Sequence, residues 1–226
     1  MRHANKIAFH LATLTIAVVY PAGGEQAKAP YPPCSEADIR HYEALQSSGE
    51  LTVDGRLDEE SWQQAEPSPP FVDMVSGAET LFDTRAAVLW DDDNLYIGFW
   101  VEEPMVEGDL TERDDPIYNN NDVEVFIDGG EAYYEFEVNS LGTIYEVFII
   151  WEEFYESGGY DQVDAFSLSN PKVVVWRGNH PRDGRIASFD WDLPEAQTAV
   201  HVDGTLNDNS DRDRGGRWSW PFRGRA

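Results

Sequence analysis

Two runs within residues 121–139 alternate apolar and polar side chains, and a Gly-Gly sequence separates them. Side chains of a β-strand point to opposite faces with a period of two, so this pattern predicts two paired strands. One face carries Val123, Val125, Ile127, Tyr134, Phe136 and Val138. The opposite face carries Asp122, Glu124, Phe126, Asp128, Tyr133, Glu135, Glu137 and Asn139.

The second of these faces has an unusual charge pattern, because its carboxylates stand beside aromatic rings and an amide without any Lys or Arg in either run. Like charges directly opposite each other destabilise a sheet, and a solvated face usually mixes both signs. This surface therefore suits a polyhydroxylated ligand or a cation.

Further short strands are predicted along most of the chain. Residues 84–90 and 95–101 flank an acidic turn and predict a hairpin. Additional strands are predicted at 143–151, 171–176 and 199–206, whereas residues 179–194 look irregular.

A short helical turn is predicted near the start of this region, with Asp58 as its cap and Trp62 as a core anchor. Many short strands and few helical patterns predict an all-β fold, either a sandwich or a barrel.

Net charge and cysteine content exclude several function classes. The 226 residues carry a formal net charge of −27, which opposes binding to nucleic acids or to an anionic membrane. Cys34 is the only cysteine, so an intrachain disulfide and a thiolate-rich zinc site are excluded.

The N-terminal region has the pattern of a signal peptide. Basic residues precede an apolar run at positions 7–20, and small residues follow it. We therefore expect residues 1–27 to be a signal peptide, 28–50 a linker and 51–222 the sandwich. The protein is expected to be exported to the periplasm or the extracellular space, with no membrane contact after signal removal.

Two groups of residues suggest ligands. Trp151 and Trp176 lie at predicted strand ends, where a flat ring can stack on a sugar while carboxylates bind its hydroxyls. A second group places oxygen ligands at alternate positions, which suits a structural calcium ion but equally fits an acidic turn. It consists of Asn207, Asn209, Asp211 and Asp213.

An ordered set of motifs resembles the family 9 carbohydrate-binding modules and their DOMON-like relatives over about residues 51–214. The set includes Val53-Asp54-Gly55-Arg56-Leu57-Asp58-Glu59 with Trp62, Leu89-Trp90-Asp91-Asp92 with Leu95-Tyr96, Asn121-Asp122-Val123-Glu124-Val125-Phe126-Ile127-Asp128 and Tyr134-Glu135-Phe136-Glu137-Val138-Asn139. The block that begins at Asn121 is the most specific.

This resemblance implies a β-sandwich that binds sugars or polysaccharides without catalysis, in association with glycan degradation. It also implies that structural calcium can be held. Carried over to this sequence, it implies polar binding roles for Arg113, Asp122, Glu124 and Asn139.

Two alternatives stay open at this stage. DOMON-like domains can bind haem for electron transfer, and Met74, Met105 and His201 are available as axial ligands. Paired carboxylates could instead make a glycoside hydrolase, which would hydrolyse O-glycosyl compounds.

The chain departs from the family pattern after Gly215, where an acidic composition changes abruptly to an Arg-rich one that runs to Ala226. This change indicates a frameshift or truncation, and we expect it to remove the closing C-terminal strand and leave an unpaired sheet edge.

Overall fold

A computed structural model of the protein describes residues 40–178, 184–208 and 217–225. Within these residues, the one α-helix is α1 (Glu60–Gln64). The strands are β1 (Leu45–Gln46), β2 (Thr84–Trp90), β3 (Asn94–Glu102), β4 (Asp122–Asp128), β5 (Ala132–Asn139), β6 (Ile144–Trp151), β7 (Val173–Trp176), β8 (Arg185–Ser188), β9 (Gln197–Thr198), β10 (His201–Asp203) and β11 (Arg217–Arg225). Among the described residues, 3-10 turns lie at Ile117–Asn119, Glu152–Phe154, Tyr160–Gln162 and Asp164–Phe166.

The strands form two sheets. The first has six strands in the order β1-β2-β3-β11-β10, with β9 also paired to β11. The second has five strands in the order β4-β5-β6-β8-β7. Every described pair is antiparallel except β1 with β2, so the structure confirms the predicted antiparallel β-sandwich.

Apolar side chains from both sheets meet in the core between them. Ile97 and Phe99 of β3 belong to the same buried cluster as Val123 of β4 and Phe136 of β5. Phe136 is 1% exposed, and burial of such a side chain contributes about 1.5–3 kcal/mol. The face that carries Val123 and Phe136 is therefore the inner face of the second sheet.

The outer face of the first sheet is covered by the segment that contains α1. Trp62 is 2% exposed and packs with Leu89 and Tyr96, which confirms its predicted role as a core anchor. The N-cap of α1 is Glu59 rather than Asp58, so the predicted capping residue was wrong by one position.

The hairpin of β2 and β3 forms as its sequence predicts, because the acidic turn satisfies its own backbone. Oδ1 of Asp91 accepts hydrogen bonds from the backbone N–H groups of Asp93 and Asn94. The Tyr96 hydroxyl donates to Oδ2 of Asp91 at 2.7 Å. These bonds hold the two strands in register through the turn.

The expectation that the C-terminal strand is missing was wrong. Residues 217–225 form β11, which pairs with β3 along nine positions in the interior of the first sheet. The assignment of residues 179–194 as irregular was also wrong in part, because Arg185–Ser188 is a strand between β6 and β7.

The N-terminal signal peptide expected at residues 1–27 lies outside the described residues. Part of the expected linker does contact the sandwich, since Leu45 pairs with Leu89 and the indole N–H of Trp90 donates to the Ala44 carbonyl. Among the described residues, no helix is long and apolar enough to cross a membrane.

A glycine permits the close approach of α1 to the first sheet. A Cβ on Gly98 would lie 2.9 Å from Cδ2 of Leu57 and 3.1 Å from the ring of Trp62. We expect Gly98→Ala to lower the free energy of unfolding by about 1–3 kcal/mol, because a tightly packed site does not accept the added methyl group.

Chemical denaturation followed by tryptophan fluorescence measures this change. Gly49→Ala is the matched control, since a Cβ at Gly49 meets no atom within 4 Å and should not destabilise the protein. Equal stability of the two variants would contradict the packing described here.

Candidate functional site

The polar face predicted from the sequence is the outer face of the second sheet. In the register of β4 with β5, Asp122 lies opposite Asn139, Glu124 opposite Glu137, and Phe126 opposite Glu135. The pairing of β5 with β6 continues this face, because Glu137 lies opposite Tyr145. Carboxylates and aromatic rings from three adjacent strands therefore share one surface.

A strip of three aromatic rings and one guanidinium crosses this surface, and we call Phe126, Tyr133, Arg185 and Trp176 the aromatic strip. The rings of Phe126 and Tyr133 are 6.4 Å apart, and Phe126 is 56% exposed. Nη1 of Arg185 donates to the Tyr133 hydroxyl at 2.9 Å, and its Cζ lies 5.3 Å from the centre of the Trp176 ring. The strip thus runs from the edge strand β4 to the opposite edge strand β7.

Trp176, one of the two rings that the sequence suggested for stacking on a sugar, lies on this face and is partly exposed. Trp151 lies on the same face but is only 8% exposed. Its ring contacts that of Tyr133 at a centroid distance of 5.4 Å. Trp151 consequently packs against the strip, and its ring exposes little area to a ligand.

Three carboxylates meet at the β4 end of this face, and we call Asp122, Glu124 and Glu137 the carboxylate cluster. One oxygen atom from each lies within 4.8 Å of the other two. Glu124 is exposed, whereas Glu137 is only 1% exposed. The cluster therefore extends from solvent into the buried part of the sheet.

Tyrosine and isoleucine side chains account for the burial at this end of the face. Tyr145, the cross-strand neighbour of Glu137, belongs to an apolar cluster with the fully buried Ile117. The ring of Tyr118 packs edge-on against Tyr145 at 6.0 Å. The loop that carries Ile117 and Tyr118 thus covers the polar face beside Glu137.

Burial makes ionisation of the cluster unfavourable. Burial, together with the nearby Glu124 charge, raises the pKa of Asp122 to about 7. Burial, and to a smaller extent a side-chain hydrogen bond with Glu135, raises the pKa of Glu137 to about 9. Burial also raises the pKa values of Glu124 and Glu135.

Arg113 is not part of this face, although the resemblance implied that it would act with Asp122 and Glu124. Its guanidinium forms an ion pair with Glu146 and lies 3.3 Å from Oδ1 of Asp192. Glu146 pairs with Phe136 across β5 and β6, so its side chain points to the inner side of the sheet. Arg113 therefore compensates a carboxylate on the opposite face.

Asn139 is on the polar face but is fully buried and already bonded within the protein. Its Nδ2 donates to the Leu110 carbonyl and to Oδ1 of Asn120, and its Oδ1 accepts from the backbone N–H groups of Leu141 and Thr143. These four bonds use the hydrogen-bonding capacity of the amide. Asn139 thus fixes the covering loop and leaves no polar atom for a ligand.

The predicted calcium loop is only partly described. The side chain of Asn207 bonds to the backbone of Gly108 at both ends, with its Oδ1 accepting at 2.9 Å and its Nδ2 donating at 2.8 Å. Asn209, Asp211 and Asp213 lie outside the described residues.

The residues considered for haem are spread over different parts of the chain. Met74 lies between α1 and β2 and is 95% exposed, Met105 follows β3, and His201 begins β10.

Alternation placed Phe126, Tyr133 and Glu137 on the candidate ligand face, but the sequence analysis gave none of the three an individual binding role. Arg185 could not be found in this way, because its strand lies in a region that looked irregular.

The fold and this face together define a class of protein, a two-sheet β-sandwich whose outer sheet face carries a partly exposed aromatic strip beside carboxylates. Residues 53–146 match the family model "Carbohydrate family 9 binding domain-like". This match confirms the predicted resemblance for a segment that contains α1, β2 to β5 and the start of β6.

Solved structures are also similar to the chain. A protein from Bacteroides uniformis ATCC 8492, described as a candidate carbohydrate-binding protein, is 11% identical with a TM-score of 0.46, and the match covers 81% of this chain and 71% of that one. A family 9 carbohydrate-binding module from Caldicellulosiruptor kristjanssonii in complex with glucose is 15% identical with a TM-score of 0.36. The match covers 79% of this chain and 83% of that one.

The same type of module from that organism, in complex with cellotriose, is 16% identical with a TM-score of 0.36, and covers 79% of this chain and 82% of that one. No curated protein matches the chain significantly.

The raised pKa values lead to a testable pH dependence of stability. A carboxyl group whose pKa is higher in the folded state stabilises the fold below its unfolded pKa, and this stabilisation is lost as pH rises through the folded value. For Asp122 and Glu137 that window extends from about pH 4 to the folded pKa values of about 7 and about 9.

We therefore expect Glu137→Gln to raise the melting temperature relative to the unmodified protein, by an amount that grows between pH 5 and pH 9. Thermal unfolding in the presence of a chelator measures the difference. Glu131→Gln is the control, because Glu131 is exposed and should give a difference independent of pH. A constant difference for Glu137→Gln would contradict the raised pKa.

Proposed function

We propose that this protein is a carbohydrate-binding module that binds sugars or polysaccharides along the aromatic strip, without catalytic activity of its own. The observation that carries the proposal is the continuous row formed by Phe126, Tyr133, Arg185 and Trp176 on the outer face of the second sheet. Phe126 and Tyr133 belong to the segment that matches the carbohydrate-binding family model.

The chemistry of the strip suits a sugar ring. Sugars present apolar C–H faces and polar edges, and an aromatic ring binds the former while charged and hydroxyl groups bind the latter. Tyr133 and Trp176 supply rings, and Arg185 supplies hydrogen-bond donors between them. Glu135 of the same face, partly exposed, supplies acceptors.

The preformed geometry of the strip favours affinity. Arg185 is held by Tyr133 on one side and stacks on Trp176 on the other, so its orientation is set before a ligand arrives. A side chain that is already ordered loses less conformational entropy on binding.

Binding to a panel of soluble and insoluble glycans tests the proposal, followed by single substitutions on a glycan that binds. We expect Trp176→Ala to weaken binding about tenfold or more, which corresponds to about 1.4 kcal/mol, because the ring loses its stacking contact. Isothermal titration calorimetry measures the change.

Trp90→Ala is the matched control, because Trp90 is also partly exposed, at 40%, but lies on the first sheet. Equal effects of the two substitutions would remove the strip as the binding site, and failure of every glycan to bind would remove the proposed function. Turnover of aryl glycosides in the same samples would instead support the glycoside hydrolase alternative.

The N-terminal sequence supports a second element of the proposal, export to the periplasm or the extracellular space, where such a module would take part in glycan degradation. Expression in a bacterial host should yield a mature protein that has lost approximately its first 27 residues. Mass spectrometry of the intact protein measures this. A product of full length in the cytoplasm would contradict export.

A further inference from the structure

The carboxylate cluster contains a feature that sugar binding along the aromatic strip does not explain. Oε2 of Glu137 and Oδ2 of Asp122 are buried and have no hydrogen-bond partner. Glu137 is 1% exposed, so solvent does not supply the missing partner. An unpartnered buried carboxylate oxygen is strongly destabilising, and such groups usually have a partner that satisfies them.

We propose that Asp122, Glu124 and Glu137 form a binding site for a divalent cation, with Ca²⁺ as the preferred ion. The site is distinct from the loop of residues 207–213 in which the sequence predicted calcium. It does not rest on the proposed function, because cation binding can be measured without any sugar.

The distances between the three side chains support one shared ion. Their nearest oxygen atoms all lie within 4.8 Å of one another. Oxygen atoms bound to one Ca²⁺ at about 2.3–2.6 Å can be up to about 5 Å apart, so a single ion reaches all three without movement of the backbone. Mg²⁺ binds at about 2.1 Å, which requires its ligands to lie within about 4.2 Å of one another.

The strands position these ligands rigidly. Asp122 and Glu124 are two residues apart on β4 and point to the same face. Glu137 lies directly opposite Glu124 on β5. Like charges in such a cross-strand pair repel each other, and a cation between them reverses the sign of that interaction.

The chemistry of the donor set favours a hard cation. All three ligands are carboxylates, which suit Ca²⁺ or Mg²⁺ better than metals that prefer nitrogen or sulfur. Glu124 is exposed on the edge strand β4, which gives the ion a path from solvent to the buried oxygen atoms.

Glu135 lies next to the carboxylate cluster on the same face of the sheet. Its carboxyl group shares a side-chain hydrogen bond with that of Glu137, whose Oε2 still has no partner, and it also interacts with the charge of Arg185. Arg185 thus interacts with Glu135 and with the aromatic strip, outside the three carboxylates of the cluster.

Calorimetric titration of the chelator-treated full-length protein with CaCl2 at pH 7.5 tests this inference. We expect a binding event that Asp122→Asn and Glu137→Gln each weaken at least tenfold, and a melting temperature that rises with Ca²⁺ in the unmodified protein. MgCl2 in a parallel titration should bind more weakly. A stronger response to Mg²⁺ would overturn the preference for Ca²⁺.

Two controls separate this site from other acidic groups. Glu131→Gln changes an exposed carboxylate near the same hairpin and should leave Ca²⁺ binding intact. The double substitution Asp211→Asn/Asp213→Asn removes two ligands of the other predicted loop and should leave the binding event of the cluster intact.

Glu124→Gln keeps the test valid if Glu137→Gln does not fold, because Glu124 is exposed. Circular dichroism establishes that each variant is folded. The inference is overturned if Ca²⁺ does not bind at concentrations up to about 10 mM, which is weaker than most extracellular calcium sites. It is equally overturned if folded Asp122→Asn and Glu124→Gln proteins bind Ca²⁺ like the unmodified protein.

Discussion

The register of β4 against β5 is the constraint on which both the core and the ligand face depend. It pairs Val123 with Val138 on the inner side and Glu124 with Glu137 on the outer side. A shift by one residue would exchange these sets, placing carboxylates in the core and valines on the outer face. The hydrophobic contacts between the sheets therefore fix the outer face as firmly as they fix the core.

The alternation of apolar and polar residues in β4 and β5 made the two faces of this hairpin predictable from the sequence. Alternation identified the two faces of β4 and β5, and an acidic turn identified β2 and β3. The sequence pattern could not identify β8, because Arg185–Ser188 is short and is flanked by residues without a periodic pattern. The aromatic strip was consequently found only in part, since Arg185 connects Tyr133 to Trp176.

The last strand was missed for a different reason, because the abrupt change to an Arg-rich composition indicated a frameshift or truncation. Its sequence contains Pro221, and proline is unfavourable within a sheet because it lacks a backbone N–H. In the structure, Pro221 falls between the residues of β11 that pair with β10 and those that pair with β9. The two short strands thus leave a gap at the position of the proline, and local sequence gives no signal of that arrangement.

Residue type and alternation also could not assign roles to individual polar side chains. Trp151 and Trp176 both lie on the outer face, but neighbouring side chains bury only the first of them. Asn139 alternates with Asp122 in the expected way, yet its amide is used to hold the loop around Leu110. Burial and hydrogen-bond partners depend on distant segments, so a local pattern does not contain them.

Two buried glutamates on adjacent strands differ in how the protein compensates them, and this difference sets the carboxylate cluster apart. Glu146 on β6 is 1% exposed, and it has both Arg113 and the backbone N–H of Leu193 as partners. Glu137 on β5 is equally buried, but its Oε2 has no hydrogen-bond partner, and its closest charged neighbours carry the same sign. The same sheet therefore compensates one buried carboxylate with its own residues and leaves the other for a partner from outside the chain. Burial and the neighbouring carboxylates oppose ionisation of Glu137. A cation bound between Glu137, Asp122 and Glu124 would favour their ionised forms and offset their mutual repulsion, so an external cation accounts for the arrangement better than a role in packing.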